Sequence, residues 1–352
     1  MTQAMAVKEM VEAEGHRVVS VMLGLGHGRQ MPRYFESAME MPVEIVPTPQ
    51  LIYKNSKAVD MPATLAFGMR HIPAYWRGVR RLQAIVRDTQ PDMIFNFYET
   101  LTGIYALTTR RRPPIVAIAN QFMCEHPGYT RVPGRRLEQF NIKWFSRLIG
   151  AASTRLALSL YEAPDLPEKK LFVCPPLLRR QLFELQPKPG DGSVLVYLLN
   201  HGYSEQIIQW HKAHPATVLH CFYDKPGAPP EFRHDATLTF HALEGEKFMR
   251  MMAECTFVVC TAGFDCLSEA AYLGKPLFVV PVGKHIEQQV NAMDSTRLGW
   301  GVTGSSFNLD RLEKLPGTFD NAGFRARLSG AKAVLLRTLD FAARQASPTL
   351  NG

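Results

Sequence analysis

Residues 4–14 place Ala4, Val7, Met10 and Val11 on one face and Lys8, Glu9, Glu12 and Glu14 elsewhere, the spacing of an amphipathic helix. Gly15 ends that pattern, and the apolar run RVVSVML after it reads as a buried strand. The two rhythms then alternate. VEIVP is a short strand, YWRGVRRLQAIVRDTQ a long helical stretch closed by Pro91, and DMIFNF the next strand. PPIVAIAN, NIKWFSRLIGA and TRLALSL continue as strand, helix and strand. Strands that are apolar throughout and separated by helices predict an α/β fold, with a parallel sheet covered on both faces.

The rhythm breaks at CPPLLRRQLFELQPKPGDG, a Pro-rich stretch ending in Gly-Asp-Gly that reads as a domain boundary. It then restarts: SVLVYLL, a helix from Ser204, TVLHCF, TLTFHAL, a helix through FMRMMAE, TFVVC, a helix from Phe264, PLFVVP, and a helix from Gln288 to Thr296. Phe324, Leu328, Ala331, Leu335, Leu339 and Ala342 fall on one helical stripe and predict a long docked helix at the end. The expected organisation is a first domain over 1–180, a linker over 181–192, a second domain over 193–322 and a closing helix over 323–352. Two such halves imply a cleft between them where a ligand binds.

Charge changes this picture because it is unevenly placed. Residues 1–180 hold 24 Lys and Arg against 15 Asp and Glu, whereas residues 181–352 hold 16 against 17. The excess sits in clusters such as RGVRR, TRRR and VPGRR. It serves either as a solvated surface or as a half that meets an anionic partner, a membrane surface or lipid phosphate. Nucleic acid is not expected, because no helix-turn-helix, zinc-finger or RNA-recognition signature is present. No apolar run approaches the roughly 20 residues needed to span a bilayer, and the start lacks the basic-then-apolar layout of a secretory signal. The six cysteines lie mostly in apolar runs without a C-x-x-C pair, which points to reduced thiols in the cytosol. His211 and His214 form H-K-A-H without a Cys or acidic partner nearby, so neither a metal nor another cofactor is expected.

The most informative run is CTAGFDCLSEAAYLGKPLFVVPVGKHIEQQVNA, Cys260 to Ala292. A strand ends in Thr-Ala-Gly and a helix starts at once, so free N–H groups and the positive dipole end offer a phosphate site. Gly263 lets that backbone come close, and Glu269, further along the helix, offers a carboxylate to two adjacent hydroxyls such as a ribose diol. A plainer reading makes Glu269 a solvated helix residue and has Gln288 and Asn291 cap their helix.

The pattern S/T-x-G-x-x-x-x-x-E-x-x-x-x-G-x-P, a strand, then Q-x-x-N-A resembles the nucleotide-sugar half of GT-B glycosyltransferases. The nearest resemblance is to the group containing the peptidoglycan N-acetylglucosaminyltransferase that makes lipid II. Thr261, Gly263, Glu269, Gly274, Pro276, Gln288, Asn291 and Ala292 match it in order. The resemblance implies two Rossmann-like domains, a diphosphate at the helix that starts at Phe264, a ribose on Glu269, and a sugar near Glu287, Gln288 and Asn291. It places Asn200, His201 and Gly202 in the first glycine-rich loop of the donor domain, and backbone at Leu243 against the base. That loop holds one glycine where the family has several.

For the first half the resemblance aligns the opening helix and Gly15-His16 with the family's first helix and second strand. On that alignment the first strand and its histidine loop, on the order of 15 residues, are expected before Met1. G-L-G-H-G-R (24–29) is then a look-alike of that loop. The alternative takes VVSVML as the first strand and His27 as the loop histidine. Inverting transfer needs a base, and the candidates at strand ends are Glu99 in NFYET and His126 in MCEHPG, each of which could instead be structural.

The implied activity is that of a cytoplasmic hexosyltransferase, inverting and metal-independent, moving a hexose or N-acetylhexosamine from a UDP-sugar. Its acceptor would be lipid-linked or in the cell envelope, at the inner face of the membrane. A nucleotide-sugar epimerase of the same architecture and a catalytically degenerate sugar-nucleotide binder stand as alternatives.

Overall fold

The computed structural model describes residues 1–26, 31–50, 52–54, 58–198, 201–225, 227–283 and 285–346. His27 and Asn200 lie outside them. The chain forms two compact units. One comprises Met1–Ile52, Asp60–Arg179 and Arg327–Gly352, the other Tyr53–Val59 and Arg180–Ala326.

In the first unit, α1 (Thr2–Glu12) leads to β1 (Val21–Leu25), α2 (Arg33–Met39) and β2 (Val43–Pro47). α1 buries Met5, Ala6, Val7 and Val11, so Ala4 and Met10 stand at the rim of the expected stripe, and Lys8, expected on the polar face, is buried as well, paired with Glu12 and Glu40. Met5 packs with Phe35 and Met39 of α2, against Val21, Leu23 and Val43 of the strands. β1 starts later than the apolar run suggests and takes in Gly24, which pairs in register with Val46. The antiparallel pair β3 (Tyr53–Lys54) and β4 (Ala58–Val59), which belongs to the second unit, has no counterpart in the sequence pattern. After it come α3 (Met61–Thr89), β5 (Ile94–Asn96), α4 (Thr100–Thr108), β6 (Ile115–Ala119), α5 (Arg136–Ile149), β7 (Thr154–Leu158) and β8 (Leu171–Cys174).

The parallel strands of this unit form two sheets, β1–β2 and β5–β6–β7–β8. One core joins them: Val46, Tyr75, Val79, Leu101 and Ile115 pack together, with Met22 and Ile94 against them. α4 packs against both α3 and α5. Glycines set that spacing, because a Cβ on Gly78 would stand 2.7 Å from Leu101 and one on Gly103 would stand 2.8 Å from the Leu148 carbonyl.

On the other face of the four-stranded sheet lies the closing helix. Its stripe from Phe324 to Ala342 is buried throughout. The single long helix is nevertheless two, α11 (Ala322–Ser329) and α12 (Ala331–Ala346), divided at Gly330. α12 covers β6, β7 and β8, with Phe341 against Phe172 and the Cys174 thiol on the Ala331 carbonyl. Arg327 fixes the junction by donating to the carbonyls of Ser159, Leu160 and Tyr161.

The second unit opens with α6 (Arg180–Glu184) and continues as β9 (Val194–Leu198), α7 (Ser204–Ala213), β10 (Leu219–Tyr223), β11 (Glu231–Arg233), β12 (Leu238–Ala242) and α8 (Gly245–Glu254). It then adds β13 (Phe257–Cys260), α9 (Phe264–Tyr272), β14 (Leu277–Val279), α10 (Ile286–Arg297) and β15 (Gly301–Thr303). These strands make one continuous sheet in the order β11-β12-β10-β9-β13-β14-β15, parallel except for the edge strand β11. Gly274 ends α9 at φ +71°, a left-handed turn that favours glycine, and Asn321 donates to the last carbonyls of that helix. All six cysteines are buried free thiols. No helix among the described residues is long and apolar enough to cross a membrane.

Candidate functional site

The chain leaves β9 toward β10 and β12, then returns to place β13 on the other side of β9. Ligands of open parallel sheets bind at such a reversal, beyond the carboxyl ends of the strands. The loops there are the one before α7, which carries His201 and Gly202, and Thr261–Gly263 after β13. The Thr261 N–H donates across the reversal to the Tyr197 carbonyl at 3.3 Å.

Thr261 is 1% exposed, yet its hydroxyl has no hydrogen-bond partner among the described residues. Leaving such a group unpaired costs about 1–3 kcal/mol, so the position invites an acceptor. Gly263 is the N-cap of α9, and no side chain caps the helix there. Its φ of −73° suits any residue, and a Cβ at this position would meet nothing closer than the Thr261 carbonyl at 4.0 Å. Neither backbone strain nor packing therefore requires a glycine here, and the space in front of the helix N-terminus is open. Phe264 opens the helix from a buried position, and Glu269, two-thirds along it, is 3% exposed. The adjacent strand β14 delivers α10, which also starts without a side-chain cap and carries Glu287 in its first turn.

The expected sugar contacts Gln288 and Asn291 are engaged in holding this site together. The Asn291 amide donates to the Ala262 carbonyl at 3.0 Å, and the Gln288 carbonyl accepts from the Val282 N–H at 2.8 Å. Both side chains are buried, so they fix the loops after β13 and β14. The structure thus brings Thr261, Gly263, Phe264, Gln288 and Asn291 together. His201 is exposed in the turn that enters α7, with its Nδ1 3.4 Å from the Asp224 carbonyl. Leu243, also exposed, follows β12, two strands away from β9. Among the described residues no three His, Cys, Asp or Glu side chains are grouped to hold a metal. His211 pairs instead with Asp235 at 3.2 Å.

In the first unit, Glu99 stands just after β5 and caps α4 by accepting from the Leu101 N–H. Three neighbours set its position. The Asn96 side chain accepts the Glu99 N–H at 2.6 Å, Tyr98 takes a left-handed φ of +59°, and the Thr48 hydroxyl donates to the carboxylate at 2.5 Å. The other carboxylate oxygen lies over Gly24, where a Cβ would collide with it. Burial pushes the Glu99 pKa up, against the Thr48 and backbone hydrogen bonds that lower it. A carboxylate held ionisable above its usual range, beside a strained non-glycine residue, fits a proton acceptor. Thr48 and Asn96 were absent from the sequence expectations. The available signal was a polar residue at the end of each short apolar strand.

His126 is placed otherwise. Its Nδ1 accepts from the Gly128 N–H at 2.9 Å, which leaves Nε2 as the donor to the Pro164 carbonyl at 3.1 Å. With both nitrogens engaged by backbone, no lone pair is left for a substrate proton, and the ring acts here as a loop clamp.

Comparison with known proteins fits this architecture. The sequence pattern of the family described as Glycosyl transferase family 1 matches residues 3–316. No curated protein sequence matches. Among solved structures, the kitacinnamycin glycotransferase is 17% identical with a TM-score of 0.55, over 98% of this chain and 91% of that one. CalG4, the calicheamicin glycosyltransferase, is 14% identical with a TM-score of 0.54, over 99% and 96%. LpCGTa, solved in complex with UDP, is 14% identical with a TM-score of 0.54, over 99% and 92%. At these identities the likeness is one of fold, that of GT-B glycosyltransferases.

Proposed function

The chain belongs to glycosyl transferase family 1, and from that premise we propose that it transfers a hexose or N-acetylhexosamine from a UDP-sugar to an acceptor presented at an anionic membrane surface. The diphosphate meets the N-termini of α9 and α10 and the Thr261 hydroxyl, the ribose diol meets Glu269, and the loop at Leu243 faces the base. The observation that carries this reading is the N-terminus of α9 at the sheet reversal, with open space in front of Gly263. The UDP in the LpCGTa structure supports the choice of nucleotide.

In the proposed reaction the acceptor oxygen forms a bond to the anomeric carbon from the face opposite the nucleotide. The bond between that carbon and the phosphate oxygen breaks, and UDP leaves with the electron pair. The acceptor proton passes to the Glu99 carboxylate. The helix N-termini stabilise the charge that grows on the departing diphosphate, where fixed dipoles act most strongly.

Thermal unfolding with UDP, ADP, GDP and UDP-hexoses tests the donor assignment. UDP at a hundred times its Kd should add about 2.7 kcal/mol of stability, seen as a raised Tm. Equal shifts with ADP and GDP, or none with UDP, overturn it. Formation of a new glycoside, rather than epimerised donor, separates transfer from epimerisation.

A further inference from the structure

The glycines of G-L-G, Gly24 to Gly26, have no part in the donor site, and the first unit gives them one of its own. Met22 and Gly24 fall on one side of β1, where Met22 lies against the core around Val46, and Gly26 follows one residue past the strand. Neither glycine takes a left-handed φ, so turn geometry does not call for them. Close approach does. A Cβ on Gly24 would collide with the Glu99 carboxylate and stand 2.9 Å from Thr48 Cβ, and one on Gly26 would collide with the side-chain oxygen of Gln50.

The two glycines seat two polar side chains that arrive from different parts of the chain. The Thr48 hydroxyl and the Leu101 N–H donate to Oε1 of Glu99, and Oε2 is the oxygen over Gly24. Gln50 turns its oxygen onto Gly26, and its side chain makes no hydrogen bond among the described residues. Both side chains are half-buried. An amide carries two N–H donors, and here they stand beside the candidate base with no described protein group to meet. Cα atoms two residues apart in a strand are about 7 Å apart, so one ligand with two neighbouring oxygens reaches both the carboxylate and the amide.

We propose that Gln50 selects the acceptor: its amide N–H donates to the oxygen next to the reacting hydroxyl while Glu99 takes the proton of that hydroxyl, so the acceptor is a vicinal diol, as on a sugar or a glycerol, and not an isolated alcohol. This deepens the transferase reading above and rests on it. The acceptor proton goes to Oε2 of Glu99, the acceptor oxygen bonds to the anomeric carbon, and UDP leaves with the electron pair, while Gln50 exchanges no proton. A neighbouring oxygen held on the amide fixes the rotation of the reacting hydroxyl against the carboxylate, which is the orientation that transfer needs. Gly24 and Gly26 are positioning residues, since they leave the space that the two side chains occupy.

The test compares trans-1,2-cyclohexanediol with cyclohexanol as acceptors for the full chain, with a UDP-hexose donor and glycoside formation as the readout. The diol should react with a kcat/KM at least about tenfold higher, the worth of one added hydrogen bond. Gln50→Ala should raise the KM for the diol about tenfold and leave the reaction of cyclohexanol unaltered. UDP affinity and Tm should hold in this variant, because no hydrogen bond among the described residues depends on the amide. Gly26→Ala, whose Cβ takes the space of the Gln50 oxygen, should act in the same direction. In a chain that binds UDP by calorimetry, equal rates with the two alcohols, transfer to neither, or a diol preference that Gln50→Ala retains overturns the proposal. Failure of UDP to bind strikes the donor reading itself, and the proposal falls with it.

Discussion

The two units carry their candidate groups on sheets of different continuity. In the second unit seven strands run without interruption, and the site is made mostly of backbone: a helix N-terminus, a glycine and a loop held by Asn291. In the first unit the strands part into β1–β2 and β5–β8, and a side chain bridges them. Glu99, after β5, is bonded to Thr48, after β2, and lies against Gly24 of β1. A backbone site follows from strand-and-helix order and leaves a motif. A side-chain site spanning two sheets depends on residues about 50 positions apart, and such a pairing leaves none.

The largest expected effect falls on the bridge. Glu99→Gln keeps the size and the acceptor for Thr48 but removes the base, so transfer should fall by about 10²–10⁴-fold with UDP affinity unchanged. A full rate in this variant, measured by product formation, would reduce Glu99 to a tie between sheets. The pH profile sharpens the point. The base acts ionised, so the rate should rise with pH through a pKa above the ordinary glutamate value, and that limb should vanish in the variant. Stability runs the opposite way. The folded chain holds this proton more tightly than the unfolded one, so the Glu99 contribution is full below its unfolded pKa. It declines as pH rises through the folded pKa.

A smaller effect is expected at the backbone-built site. Glu269→Ala should weaken UDP by about 2–3 kcal/mol, roughly a hundredfold in Kd, through two lost hydrogen bonds to a charged acceptor. Unchanged affinity in calorimetry would show that Glu269 does not hold the ribose. The smallest effect belongs to Thr261→Val, about 1 kcal/mol of UDP affinity or roughly fivefold. The Tm of the free protein should hold or rise, because a buried hydroxyl without a partner among the described residues is removed. A lower Tm with unaltered UDP affinity would make Thr261 a packing residue.

The sequence by itself determined the main alternation of strands and helices and the strand, turn and helix from β13 to α9, but not α2, the β3–β4 pair, α4 or β15. Apolar runs such as PPIVAIAN and PLFVVP became β6 and β14 because a strand buried on both faces admits few polar residues. Thr261, Gly263 and Glu269 could be proposed together from the chain because strand, turn and helix are contiguous, so their spacing in the chain is their spacing in space. The division of the first sheet was not legible, since pairing depends on which edges meet. Nor was the break at Gly330, because the apolar stripe runs through it unbroken while packing on β6–β8 sets the course of α12. Only the tertiary structure engaged both nitrogens of His126 and brought Thr48 to Glu99. Each of these depends on partners distant in the chain, and a local pattern of hydrophobic and polar residues does not encode which partner arrives.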